Sequence, residues 1–116
     1  TTKVKFRYVF NVNERTVLST TAKVHLYRII QEGISNALKH AKATLVKVEV
    51  SEKESDLVIK VQDNGIGFVV SKYRSASHIG LAGMKESVSN LHGKLIVNSQ
   101  IGKGTEIIVY CPKFQN

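Results

Sequence analysis

Four polar side chains, Arg28, Glu32, Asn36 and His40, recur at four-residue intervals and fall on one ridge of any helix that contains them. A solvated helix face has the same pattern. Gly33 weighs against that reading, because a glycine inside a helix costs about 1 kcal/mol relative to alanine and implies that a side chain or a ligand approaches the backbone there. A second group is Asp63-Asn64-Gly65-Ile66-Gly67-Phe68, a carboxylate followed at once by two glycines. Asn-Gly is a common hairpin pair, but Gly67 and Ser71-Lys72-Tyr73-Arg74-Ser75 do not continue as an alternating strand, which favours a ligand loop. The third is His78-Ile79-Gly80-Leu81-Ala82-Gly83-Met84, glycines at the entrance to a helix, where free N–H groups and the helix dipole suit a phosphate. There is no G-x-x-x-x-G-K-[ST] loop, and Val70 stands where a dinucleotide fingerprint would place its third glycine after Gly65 and Gly67.

The elements that must hold these groups can be read from hydrophobic periodicity. Residues 3–10 alternate, with Val4, Phe6, Tyr8 and Phe10 on one side, as in a half-buried strand. Ser19 or Thr20 caps a long helix running to about His40, with an apolar face of Val24, Leu26, Ile29, Ile30, Ile34, Ala37, Leu38 and Ala41. Val46, Val48 and Val50, then Leu57, Ile59 and Val61, form a hairpin across Glu52-Lys53-Glu54-Ser55. A loop follows from Asn64 to about His78, then a helix from Leu81 to Leu91 that Gly93 is placed to end. Strands at about Leu95–Ser99 and Glu106–Cys111 close the chain around Ile101-Gly102-Lys103-Gly104-Thr105, and Pro112 terminates the sheet. The order β-α-β-β-loop-α-β-β predicts an α/β (α+β) two-layer sandwich with a mixed, mostly antiparallel sheet and helices on one face.

With 116 residues and 42% hydrophobic content, residues 1–116 fit a single domain. No window is apolar enough to insert in a bilayer, and the first residues lack the features of a signal peptide, so the expected location is cytoplasmic. The one cysteine, Cys111, lies in the apolar run IIVYC and reads as a packed thiol. The formal charge of +8 is spread along the chain without an RNA-binding motif or zinc-finger spacing, so nucleic acid is not expected; a nucleotide phosphate or an acidic partner protein accounts for it equally well. No His pair has zinc-ligand spacing.

Taken in order, the three groups resemble the GHKL (Bergerat-fold) superfamily of ATPases, which joins histidine kinases to gyrase, MutL and a heat-shock chaperone. LYRIIQEGISNALKHA is similar to its N box, VQDNGIGF to the first glycine box and GLAGMKESV to the second, followed by GKGTEIIVYCP. The form of these boxes looks most like the kinases that include the degradation, nitrate and cell-wall-stress sensors. The resemblance implies that Asn36 binds Mg²⁺ and that Glu32 is the catalytic acidic residue, polarising a water or taking a proton from the attacking imidazole. It implies that Lys39 and His40 contact phosphates, that Asp63 accepts a hydrogen bond from the adenine amino group and that Gly65 and Gly67 let the backbone approach the purine. Gly80, Leu81, Ala82 and Gly83 would close over the phosphates, with Met84 packed nearby and Thr105 supporting Asp63 or a bridging water.

The sequence departs from the family pattern in a short lid, about Val69 to Ile79, without a separate phenylalanine-containing box. None of His25, His40, His78 and His92 precedes an acidic residue as a phosphoacceptor of this group does, so the chain is expected to be the ATP-binding fragment of a larger kinase. It would act on a histidine of the parent's dimerisation domain, which would then supply a response regulator. The isolated domain would be monomeric and its parent a homodimer. An anti-sigma serine kinase of the same superfamily and a basic nucleic-acid-binding module are the alternatives.

Overall fold

The structure, a computed structural model, describes residues 3–40, 42–69 and 81–113, with the His40 side chain outside that description. Among these residues seven elements occur in the order β1 (Lys5–Asn11), α1 (Thr20–His40), β2 (Leu45–Lys53), β3 (Asp56–Asp63), α2 (Ala82–Asn90), β4 (Lys94–Gln100) and β5 (Gly104–Pro112). The strands form one sheet in the order β1-β2-β3-β5-β4. The β1–β2 pair is parallel and the other three are antiparallel, which gives the mixed, mostly antiparallel sheet expected from the sequence. Both helices pack on one face of it and against each other, so the molecule has two layers.

Alternation decides which strand residues meet the helices. Val46 and Val48 of β2, Ile59 and Val61 of β3, and Ile107, Val109 and Cys111 of β5 share the covered face. There Ile29, Met84 and Val88 pack on one part of the sheet, and Ala37 of α1 on another. The Cys111 thiol is buried in this core and pushed up to about 11, chiefly by burial and secondarily by the Asp56 carboxylate. Of the expected apolar face of α1, Val24 and Leu38 lie exposed instead, at 45% and 47%. Ala41 lies outside the described residues.

The first strand is not half-buried. Phe6, Tyr8 and Phe10 pair in register with Val46, Val48 and Val50, yet are 39%, 65% and 76% exposed. Alternation places them on the helix side, but β1 is an edge strand and α1 packs over β2 and β3, leaving most of each ring uncovered. Its connection to α1 is fixed by polar contacts instead: the Glu52 carboxylate of β2 accepts from the Asn13 N–H and from the Thr16 hydroxyl. The Thr16 bond leads the causes that hold Glu52 below its ordinary value.

Local chemistry sets the element ends. Ser19 caps α1, its hydroxyl accepting from the Ala22 N–H at 3.1 Å. The β2–β3 hairpin turns at Glu54-Ser55 between paired Lys53 and Asp56, with Glu54 at φ +57°. After α2, the Gly93 N–H donates to the Val88 carbonyl at 2.9 Å and the His92 N–H to the Ser89 carbonyl at 3.0 Å, a complete Schellman motif. The residue that takes the left-handed conformation there is His92, at φ +55°, and not Gly93. Since His92 is exposed and non-glycine residues are disfavoured in that region, His92→Gly is expected to raise stability by about 1 kcal/mol without altering helix content. Urea unfolding followed by circular dichroism checks this.

Candidate functional site

Where β3 ends, the chain must leave the sheet between two neighbours. Asn64 fixes one side, its side-chain oxygen accepting from the N–H groups of Thr44 and Leu45, both at 2.9 Å, while its amide donates to the Thr44 hydroxyl. The start of β2 is thereby tied to the end of β3. The β4–β5 turn fixes the other side: the Gly102 N–H donates to the Ile66 carbonyl at 2.7 Å, and the Phe68 N–H to the Ser99 hydroxyl at 2.9 Å. Gly67, at φ +68°, lies so close to this turn that a Cβ on it would be 1.9 Å from the Gln100 carbonyl oxygen. The glycine is thus required by the turn beneath it; an approach to a purine is not needed to explain it.

This loop forms one wall of a cleft of about 490 Å³, its open mouth included. The floor is the apolar surface of Val61, Val97 and Ile107, and α1 supplies Gly33 and Asn36 from the opposite side, with Leu81 ahead of α2. Gly33 is explained by packing, since a Cβ there would be 2.8 Å from a Val61 methyl. Its absence lets α1 settle onto β3 and brings the next turn, with Asn36, to the rim.

Asp63 and Thr105, paired across β3 and β5, face the same cleft. The Asp63 carboxylate accepts from the Gly65 N–H at 2.8 Å. Partial burial raises its affinity for a proton above the ordinary 3.8, outweighing the backbone N–H groups of Gly65 and Thr105 that favour the ionised form. Across the cleft, the Asn36 side-chain nitrogen is buried without a hydrogen-bond partner among the described residues. A partly desolvated carboxylate and, among the described residues, an unpartnered amide nitrogen on facing walls are what a polar ligand with an apolar ring would complete.

The structure brings together Asn36, Asp63, Gly67, Leu81 and Thr105 from the sequence-predicted set, with Gly65 buried in the loop between them. Glu32 is one turn earlier on α1 but lines a neighbouring polar crevice with Arg28, Gly83, Glu86 and Ser87. A Cβ on Gly83 would be 2.7 Å from its carboxylate oxygen, so this glycine makes room for Glu32. Ala82 and Gly83 are exposed in the first turn of α2 and are not part of the cleft wall, Lys39 is exposed beyond it, and Met84 is fully buried in the core. Met84 therefore braces α2 from behind. Gly80, the His40 side chain and the lid from Val70 to Ile79 lie outside the described residues. Sequence reasoning missed Asn64 and Ser99, whose polar side chains hold the loop. It also gave no reason for Gly104, where a Cβ would be 2.1 Å from the Asp63 carbonyl oxygen.

The folded state holds the Asp63 proton more tightly than the unfolded chain does. The stability this group contributes is therefore full below about 3.8, the ordinary value, and is lost as pH rises through the higher folded value. Asp63→Asn, whose amide oxygen can still accept from Gly65, is expected to be more stable than the parent at neutral pH, with the difference shrinking as pH falls through the carboxylate range. Urea midpoints across that range test this; a difference independent of pH would contradict it.

The profile of the histidine kinase-, DNA gyrase B- and HSP90-like ATPases matches residues 21–115. The chain is similar to the sensor histidine kinase LiaS of Bacillus subtilis (strain 168), 43% identical over 99 residues, covering 85% of this chain and 27% of that protein. It is also similar to the histidine-protein kinase/phosphatase DegS of the same organism, 34% identical over 112 residues, covering 95% of this chain and 29% of that one. Thus the chain spans under a third of the length of these curated relatives. Among solved structures, the ATP binding domain of PrrB from Mycobacterium tuberculosis superposes with a TM-score of 0.70 at 22% identity, over 79% of this chain and 69% of that one. That likeness carries the fold, and the sequence match carries the family: this chain belongs to the histidine kinase-, DNA gyrase B- and HSP90-like ATPases.

Proposed function

We propose that this chain is the ATP-binding catalytic domain of a two-component sensor histidine kinase, one domain of a longer enzyme. It binds Mg-ATP and delivers the γ-phosphate to a histidine on the parent's dimerisation domain, from which a response regulator receives it. The observation that carries this reading is the single cleft shared by Asp63 and Asn36, with an apolar floor between them. The names of the relatives, sensor kinases, favour it over an anti-sigma serine kinase or a nucleic-acid-binding module.

A purine lies against Val61, Val97 and Ile107 with its exocyclic amino group toward Asp63. Adenine offers a donor there; guanine offers an acceptor, which would leave the carboxylate unpaired at a cost of about 1–3 kcal/mol. Thr105 stands beside Asp63 to take part in the same contact. Asn36 fits a hard cation: among the described residues its buried amide nitrogen has no partner, and a half-turn of the amide presents the oxygen in that place. Mg²⁺ held there would offset the charge of the triphosphate. Glu32 polarises a water or takes the proton of the attacking imidazole from the adjoining crevice, and Lys39, His40 and the segment from Gly80 to Gly83 attend the phosphates. Catalysis on this reading is mainly positioning and electrostatics. The parent is a homodimer with this domain on the cytoplasmic side; among the described residues no helix is long and apolar enough to cross a membrane.

Titration calorimetry tests the assignment. Asn36→Ala is expected to abolish Mg²⁺-dependent nucleotide binding, and Asp63→Asn to weaken ATP binding by roughly tenfold or more, the equivalent of at least one lost charged hydrogen bond. Unchanged affinity in both variants would remove the reading. Formation of an acid-labile phosphate on a dimerisation domain supplied in trans, with Mg-ATP as donor, tests the transfer step.

A further inference from the structure

Ser99 is one residue outside the cleft lining but makes three contacts with the groups that shape it. Its hydroxyl oxygen accepts from the Phe68 N–H at 2.9 Å, lies 3.0 Å from the Gly104 carbonyl oxygen and lies 2.8 Å from the Thr105 hydroxyl oxygen. A serine hydroxyl has one proton and two lone pairs. The Gly104 carbonyl can only accept, so the Ser99 proton goes there. One lone pair is taken by Phe68, and the other remains for Thr105, which must then be the donor in their mutual bond. The only proton on the Thr105 hydroxyl is therefore committed to Ser99, and the oxygen is left to the cleft as an acceptor.

We infer that Ser99 is a positioning residue for base selection: by fixing the direction of the Thr105 hydroxyl, it makes the cleft present two acceptors, Asp63 and Thr105, to the purine 6-position. This rests on the proposed binding of ATP and adds to it. Asp63 alone prefers an amino group. With Thr105 locked as an acceptor, a 6-oxo purine meets two lone-pair-bearing groups and no donor, so discrimination is built into the second group by its neighbour on β4. The geometry that allows it is local. Ser99 and Thr105 are cross-strand partners in the β4–β5 ladder, and Asp63 is the partner of Thr105 on its other side, so three strands carry the relay in one row.

The probe is inosine triphosphate, which replaces the 6-amino group of ATP with an oxo group. Calorimetric affinities for ATP and ITP are compared in the parent, Ser99→Ala and Ser99→Thr. In Ser99→Ala the Thr105 hydroxyl is released and can donate to the 6-oxo group. The ATP-over-ITP preference is expected to narrow by about tenfold, the worth of one hydrogen bond of roughly 1.4 kcal/mol, with ITP binding improved. Ser99→Thr keeps the hydroxyl and is expected to restore the preference. If Ser99→Ala merely loosens the loop, both affinities fall together and the ratio stays put, which overturns the inference while leaving ATP binding intact. A parent domain that binds neither nucleotide would instead overturn the underlying reading and the inference with it.

Discussion

The cleft depends on one close approach of backbone to backbone. Gly104, at φ +83°, opens β5 directly against the carbonyl of Asp63, with no room for a side chain between the two strands. That contact allows the β3–β5 ladder to run to its last pair, Asp63 with Thr105, at the point where both chains leave the sheet. A bulkier residue at 104 would have to push the strands apart at this end, and the two polar side chains would no longer share a row. The loop from Asn64 to Phe68 then has a fixed surface to lie on, the β4–β5 turn, and Gly67 repeats the same device one layer up by passing over Gln100. Asn64 anchors the other side to the first residues of β2. The cleft is thus walled by backbone held at both edges, which leaves its few side chains free for recognition.

Those side chains are not arranged for the comfort of the empty protein. Asp63 is partly desolvated despite the backbone N–H groups of Gly65 and Thr105, and Asn36 buries an amide nitrogen that meets no acceptor among the described residues. Each arrangement costs stability unless a ligand supplies the missing partner. The apolar strip of Val61, Val97 and Ile107 between them is likewise a surface that a flat ring would cover. Groups left short of partners around an apolar floor are characteristic of a binding site, where stability is given up for function.

Much of this was legible in the residues. Hydrophobic alternation marked β2, β3 and β5 because each buries one face and exposes the other, and Ser19 announced the start of α1 through its hydroxyl. The co-location of Asn36 and Asp63 followed from three motifs in order, each uninformative alone. What stayed hidden depended on who the neighbour is. Alternation in β1 specified a side but not whether a helix would cover it, so Phe6, Tyr8 and Phe10 read as the inner face of a half-buried strand and are exposed. Gly93 does close α2 through its N–H, but the left-handed turn falls one residue earlier, on His92, which glycine propensity does not mark. Met84 sits in the same motif as Leu81, which lines the cleft, but helical periodicity turns it inward, with Ile29 and Val88. Ser99 and Asn64 are ordinary polar residues in sequence; only the ladder register and the loop path give them their contacts.

The exposed edge strand gives the molecule an uneven cooperativity. β1 has a single ladder neighbour, and Lys5 reaches it only across the whole of α1, pairing with Leu45. β3 is enclosed by β2 and β5 and backed by α1. Detaching β1 breaks one parallel ladder and little apolar packing, whereas opening β3 dismantles the core and the cleft together. The first strand can therefore peel and reseal on its own while β2, β3 and β5 hold, a local opening far cheaper than loss of the fold.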